Sequence, residues 1–336
     1  MVFITKSSFP LLAMLLMSLK NKGTSSFSTK LWFRNNKMHL SLPSRMQQQE
    51  HGSLSSWSNH NTQDDLNGAH EYLCIITETS ACDSDERMEA TCETLEKALG
   101  GYNENGVDLI SVRVATPTNS KDKDQQESFN QRLLRLCSRI MALKERQQKH
   151  IHYNDYKVVI NDMVHLDTAV QANVDGIHVK EKDVAQIPRI RKELEEARSG
   201  GGTGTLQKVI IGTSCHSIES GVCNWVLYNP DYMFVGTCYM TQSHPEKNAD
   251  DLEGPMLPGS VKQNILDMAK DNKGARLHHR CPIIFAIGGI EESNCSEPVS
   301  YGADGVAVIR SIMQASDPVV AVRRMKLGMK AQLHVD

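Results

Sequence analysis

Cys281-Pro-Ile-Ile-Phe-Ala-Ile-Gly-Gly-Ile290, followed by Gly302-Ala-Asp-Gly-Val-Ala-Val-Ile309, is the stretch that decides the fold. Pro282 to Ile287 is an apolar run bounded by a proline and by two glycines, the pattern of a strand buried on both faces. Glu291 to Ser300 predicts a short helix, Gly302 ends it, and Asp304 to Ile309 reads as a second buried strand. Strand, helix, strand makes a βαβ unit. Gly288-Gly289 falls just past the first strand, where the missing side chains let backbone N–H groups approach an anion closely. At the last two strands of a (β/α)8 barrel that place often holds phosphate. In another α/β fold the same glycines would be only a tight turn.

The same unit recurs upstream. Tyr72–Thr77, Asp108–Val114, Tyr156–Asn161, Val174–Val179, Lys208–Gly212 and Asp231–Gly236 read as six further buried strands. Helical spacing runs over Ser84–Leu99, Ser128–Gln148, the segment around Leu166 and Val170, Val184–Arg198, Ile218–Tyr228, Val261–Lys270 and Asp317–Gln332. Pro188 and Pro318 fall in first turns, where a missing N–H removes no helical bond. Eight strands, each followed by a helix over about 260 residues, argue for a parallel sheet closed into an α/β TIM barrel. An open doubly wound sheet is the alternative, but no Gly-x-Gly-x-x-Gly follows the first strand, so a dinucleotide site is not supported.

Composition narrows the class. The 336 residues are 40% apolar and 23% charged, ordinary for a globular protein, and a formal charge of −3 gives no reason to expect nucleic acid. Nine cysteines, unevenly spaced and without a Cys-x-x-Cys pair, argue against a disulfide framework or a zinc site and for reduced thiols inside a cell. No acidic residue precedes Glu50, whereas Lys6, Lys20, Lys22, Lys30, Arg34, Lys37 and Arg45 are basic. Phe9 to Leu19 is an apolar run too short to cross a bilayer, and serines cluster at 25, 26 and 28. Residues 1–46 therefore read as an organelle-targeting leader, a plastid transit peptide reached through a secretory step, with the mitochondrion or the cytoplasm as alternatives. Residues 47–70 read as a polar linker and 71–334 as the barrel.

The strand ends carry a recognisable set: Asn161-Asp162; Gly176-Ile-His178 with Asp183; Gly212-Thr-Ser-Cys-His216; Gly236, Thr241 and Ser243; Glu253-Gly254; Ala286-Ile-Gly-Gly-Ile290; and Gly302 to Ile309. This set resembles the thiamine phosphate synthase and TenI superfamily, over roughly Tyr72 to Met325. The resemblance implies a transferase that joins hydroxymethylpyrimidine diphosphate to thiazole phosphate and releases diphosphate. It implies Mg²⁺ as cofactor, held by Asp162 and Asp183. Asn161 and Arg113 would grip the diphosphate, and Ser214 would lie beside the pyrimidine. Thr241, Ser243, Gly288, Gly289 and the Ile309 edge would hold the thiazole phosphate, with Arg310 as a further phosphate ligand. The expected partners are small phosphorylated substrates, with no nucleic acid, no membrane for the mature chain, and a homo-oligomer as an open expectation.

Each residue also has a plainer reading. An aspartate after a strand is the ordinary N-cap of the next helix. Arg113 could pair with a carboxylate, and His178, inside a strand, reads as a packed structural histidine. Departures from the synthase pattern are several. Where the family has Gln-x-Arg-x-Lys, this chain has Ser111-Val-Arg113-Val-Ala115, so a lysine is missing. Lys180-Glu181 replaces Gly-Gln, and Lys180 offers a substitute for the lost charge. His244 stands for a lysine, Thr237-Cys-Tyr-Met240 for a proline-rich turn, and Arg310 for a serine. Two other functions stay open on the same barrel: a TenI-like thiazole tautomerase, for which Thr237 stands where an acid/base histidine is expected, and a thiazole phosphate-binding barrel without catalysis.

Overall fold

The computed structural model describes residues 70–330, apart from 101–102, 104, 116–122, 151–152, 200–207, 243–244, 246–247 and 272–279. Ahead of these, three short strands at Val2–Ile4, Lys30–Arg34 and Lys37–Ser41 pair antiparallel in a separate sheet. The body is a closed barrel of eight parallel strands. They are β1 (Tyr72–Ile76), β2 (Leu109–Arg113), β3 (Lys157–Asn161), β4 (Gly176–Val179), β5 (Ile210–Cys215), β6 (Tyr232–Val235), β7 (Ile283–Ile287) and β8 (Gly305–Val308). Each pairs with the next, and β8 closes on β1 with Gly305 opposite Tyr72.

Helices follow the strands: α1 (Asp85–Leu99), α2 (Lys123–Gln147), α3 (Leu166–Gln171), α4 (Ile187–Ser199), α5 (Ile218–Tyr228), α6 (Leu257–Asp271), α7 (Ser296–Ser300), α8 (Arg310–Met313) and α9 (Pro318–Lys330). Ser84 caps α1 by accepting from the Arg87 N–H, and Ser217 caps α5 in the same way. Two sequence expectations shift. α2 starts at Lys123, ahead of Ser128. The helix expected over Glu291–Ser300 shrinks to Ser296–Ser300, because the Asn294 side chain bonds the Glu291 N–H and the Gly289 carbonyl and holds the preceding segment as a turn.

Strand alternation sorts the core into two layers. Cys74, Leu109, Val159, Ile210, Tyr232, Phe234, Phe285 and Ala307 point into the barrel and pack on one another. The intervening residues, such as Ile75, Ile110, Ile160 and Ile211, pack outward against the helices. Gly212 makes room for Tyr232: a Cβ there would lie 1.9 Å from the tyrosine Cζ. Continuing the inward alternation in steps of two towards the C-terminal ends reaches Arg113 on β2, four residues past Leu109, Asn161 on β3, two past Val159, and Ser214 on β5, four past Ile210. The barrel thus delivers these three side chains to the face where such folds keep their chemistry.

The opposite face is tied by a repeated device. Asp108, Asp175, Asp231 and Asp304 each stand immediately before an even-numbered strand, and each carboxylate accepts from a backbone N–H of the preceding strand, at 2.7–2.9 Å. Each also meets a lysine: Lys326, Lys144, Lys208 and Lys262 respectively. All nine cysteines are free, and burial pushes the thiols of Cys215 and Cys238 up to about 12, which keeps these two in the unreactive thiol form. Among the described residues no helix is long and apolar enough to cross a membrane.

Candidate active site

A cleft of about 1120 Å³ opens at the C-terminal ends of the strands. Arg113, Asn161, Ser214, Thr241, Gly288, Gly289, Ile309 and Arg310, all singled out in the sequence, line it. Ser243 and His244 lie outside the described residues. Asp162 and Asp183 are not part of the cleft wall.

On one side, register places Arg113 beside Asn161 and Asn161 beside His178. Burial pushes the Arg113 guanidinium downward, and no charged neighbour offsets this. The carboxylate partner that the plain reading of Arg113 requires is therefore missing among the described residues. A half-buried guanidinium without a counter-ion, facing a cleft, is poised for an anion. Its backbone is pinned by Thr77, whose hydroxyl accepts from Arg113 N–H at 2.8 Å and donates to Arg113 C=O at 2.7 Å.

His178 is buried as expected, yet it does more than fill space. Its Nε2 lies 2.8 Å from Ser214 Oγ and its Nδ1 3.2 Å from Tyr232 Oη. Burial, aided by Arg113, lowers its pKa to about 3, so the ring is neutral at ordinary pH. With Tyr232 O–H donating to Nδ1, the Nε2–H donates to Ser214, and the serine proton is left for a ligand. The sequence offered no sign of this triplet, which comes from three strands.

Asp162 takes the plainer of its two readings, as an N-cap, and also meets a cation of this chain. Its Oδ1 caps the 3₁₀ turn Met163–His165 by accepting from Val164 N–H at 3.2 Å, while Oδ2 takes the Lys180 ammonium. Burial alone would raise its pKa, but these two hydrogen bonds, together with the positive charge of Lys180 and the nearby His165, hold the carboxyl below its usual range. Its backbone sits at φ +105°, which only glycine adopts readily and which costs about 1–3 kcal/mol elsewhere. Asp183, half-buried, follows in the turn after β4, its N–H bonded to the Lys180 carbonyl. Among the described residues no three His, Cys, Asp or Glu side chains are grouped to hold a metal.

Across the barrel, the loop after β6 runs along the end of β7. Cys238 and Tyr239 N–H donate to Ile287 and Gly288 carbonyls at 2.9 and 3.0 Å. Gly288 (φ +100°) and Gly289 (φ +64°) are needed as glycines twice over: a Cβ would strike Thr237 Cγ2 at 2.5 Å or Met240 O at 2.4 Å. Arg310 opens α8 and donates to Thr241 Oγ1 at 3.0 Å, which brings the two phosphate candidates together. His216 stands at the same rim. It contacts the Gly236 carbonyl through Nδ1 and lies 3.5 Å from Glu253 and 3.9 Å from Glu181. The position expected for a tautomerase histidine holds Thr237, but a histidine thus stands one strand away.

The chain is similar to known proteins. The family model TMP-TENI, thiamine monophosphate synthase, covers residues 73–312. The thiamine-phosphate synthase of Geobacillus kaustophilus is 28% identical over 241 residues, which span 71% of this chain and 85% of that one. That of Thermosynechococcus vestitus is 30% identical over 236 residues, 69% of this chain and 51% of its own length. Among solved structures, Mycobacterium tuberculosis tryptophan synthase has a TM-score of 0.50 at 12% identity, over 83% of this chain and 99% of that chain, a likeness of fold alone. From the start of β1 to α8 the family model matches without leaving the barrel, and the chain belongs to the thiamine monophosphate synthase (TMP-TENI) family.

Proposed function

We propose that this chain condenses hydroxymethylpyrimidine diphosphate with thiazole phosphate to give thiamine phosphate and diphosphate. The observation that carries the reading is a single cleft with an anion-ready group on each side. Arg113 and Asn161 stand on β2 and β3, and the Gly288-Gly289 turn with Arg310 stands across the mouth. A two-substrate phosphate enzyme needs both poles; a carrier of one monophosphate needs only the second.

In this reading Arg113 and Asn161 hold the diphosphate. The bond from the pyrimidine methylene carbon to the diphosphate oxygen breaks, and the electron pair leaves with diphosphate. The lone pair of the thiazole nitrogen then forms the new C–N bond. Ser214, oriented by His178, donates to the pyrimidine ring and fixes its plane for that attack. Gly288, Gly289, Thr241 and Arg310 anchor the thiazole phosphate so that the nitrogen faces the same carbon.

A Mg²⁺ ion would be held by Asp162 and Asp183 with substrate oxygens, and would neutralise charge on the leaving group. As the side chains stand, both Asp162 oxygens are already engaged, by Lys180 and by Val164 N–H, so Asp162 as placed does not fit the ion and no step is routed through it.

The test is incubation of the purified full chain with both phosphorylated precursors, with Mg²⁺ and with EDTA, and detection of thiamine phosphate. Its absence under both conditions would remove the synthase reading. His216 between two carboxylates favours a second reading, proton transfer on a thiazole. Isomerisation of a thiazole phosphate without the pyrimidine partner, lost in His216→Ala, would reveal it. The leader is proposed to direct the chain to a plastid; a fluorescent fusion of residues 1–70 that stays cytosolic would count against it.

A further inference from the structure

We propose that Lys180 takes the place of the metal, so that diphosphate is bound by two side-chain cations, Arg113 and Lys180, without a divalent ion. This inference rests on the proposed reaction for its choice of ligand. Three observations carry it. First, Asp162 N–H bonds the His178 carbonyl at 2.9 Å, so the ends of β3 and β4 lie side by side, and Lys180 Nζ sits on Asp162 Oδ2. The position a cation would occupy on that carboxylate is filled by an ammonium. Second, Lys180 lines the cleft together with Arg113 and Asn161, while Asp162 does not. Third, Lys180 is half-exposed whereas the Asp162 side chain is 14% exposed, so the carboxylate anchors the lysine from behind and the ammonium faces the open side.

An ammonium has three N–H donors. One is spent on Asp162; the others can reach phosphate oxygens. Carboxylate, ammonium and phosphate then lie in sequence, joined by charge-assisted hydrogen bonds. The swap is also consistent in charge. Where the resemblance expects a lysine after strand two this chain has Ala115, exposed and beyond the end of β2, and Lys180 supplies a positive charge just after β4. Asp162 is held at a costly positive φ, as expected where a constraint other than packing fixes the strand end.

The experiment is calorimetric titration of the full chain with inorganic pyrophosphate, in EDTA and in Mg²⁺. Pyrophosphate should bind in EDTA, with the Kd changed less than about threefold by Mg²⁺. Lys180→Met should weaken that binding by at least about tenfold and Lys180→Arg should largely retain it, the scale of one charge-assisted hydrogen bond. Binding that appears only with Mg²⁺ and vanishes in Asp162→Asn would overturn the proposal, as would an unchanged Kd in Lys180→Met or no binding in either buffer. The synthase assay is read separately. Metal-free, Lys180-dependent pyrophosphate binding without thiamine phosphate formation would defeat the proposed reaction and leave this site standing, whereas turnover that needs Mg²⁺ and tolerates Lys180→Met would do the reverse.

Discussion

Arg113 and Arg310 look alike in the sequence and differ in what surrounds them. Arg113 has no charged neighbour to offset its burial, so its removal should be felt chiefly in the anion it binds. Arg113→Met should weaken pyrophosphate binding by about 1.5–3 kcal/mol and leave thiazole phosphate binding unchanged. Arg310 holds Thr241 at 3.0 Å, and Arg310→Ala should do the opposite by a similar amount. Calorimetry with each ligand separates the two, and equal losses for both ligands would mean that the cleft is not divided as described. His178 gives a prediction in pH. Its folded pKa of about 3 lies below the usual 6.5, so the unfolded chain binds a proton that the folded chain refuses. The contribution is full above pH 6.5 and is lost on acidification towards pH 3, at up to about 1.4 kcal/mol per pH unit. Unfolding in urea across pH 4–7 should be less steep in pH for His178→Gln than for the native chain. Identical slopes would show that another group governs acid stability.

At the scale of elements, the two barrel faces do different work. The four aspartates before β2, β4, β6 and β8 are bonded to neighbouring strand N–H groups, and together they lock register on the face away from the cleft. Asp175 is the most buried of the ion pairs: its side chain is 5% exposed and that of Lys144 3%. Asp175→Asn would leave the lysine without its main counter-charge and should cost about 3–5 kcal/mol in chemical denaturation, with KM for both substrates unaltered. A change in KM at native stability would contradict the separation of the faces. In the sequence Asp108, Asp231 and Asp304 read as the first letters of strands and Asp175 as the second. Only closure of the barrel shows that every second strand starts this way, because each carboxylate bonds the strand before it. The inward alternation of β2, β3 and β5 is different: it can be counted from the strands alone, and it correctly aims Arg113, Asn161 and Ser214 at one place. Lys180 on Asp162 and His178 on Ser214 were not countable, since each depends on which strand ends stand side by side and how far their side chains reach.

For the whole molecule, the decisive information lay in the eightfold alternation of apolar runs and helical spacing, a global period that local ambiguity at helix ends does not disturb. The strands that close the barrel are β8 and β1, with Gly305, Val306, Ala307 and Val308 opposite Tyr72, Leu73, Cys74 and Ile75. Tyr72 N–H also donates to the Asp304 carbonyl at 2.9 Å, and Lys326 of α9 reaches the Glu71 carbonyl at 2.6 Å. Every described bond that seals this seam is made by residue 70 or later. Among the described residues the core clusters likewise start at Leu73, with the adjoining Tyr72 packed against them. A chain beginning at Asn67 should therefore unfold cooperatively within about 2 °C of the full chain and keep its pyrophosphate affinity. Thermal unfolding followed by circular dichroism checks the first and calorimetry the second. A lower, broader transition would show that the preceding segment packs on the barrel; an unchanged transition with lost affinity would place that segment at the cleft.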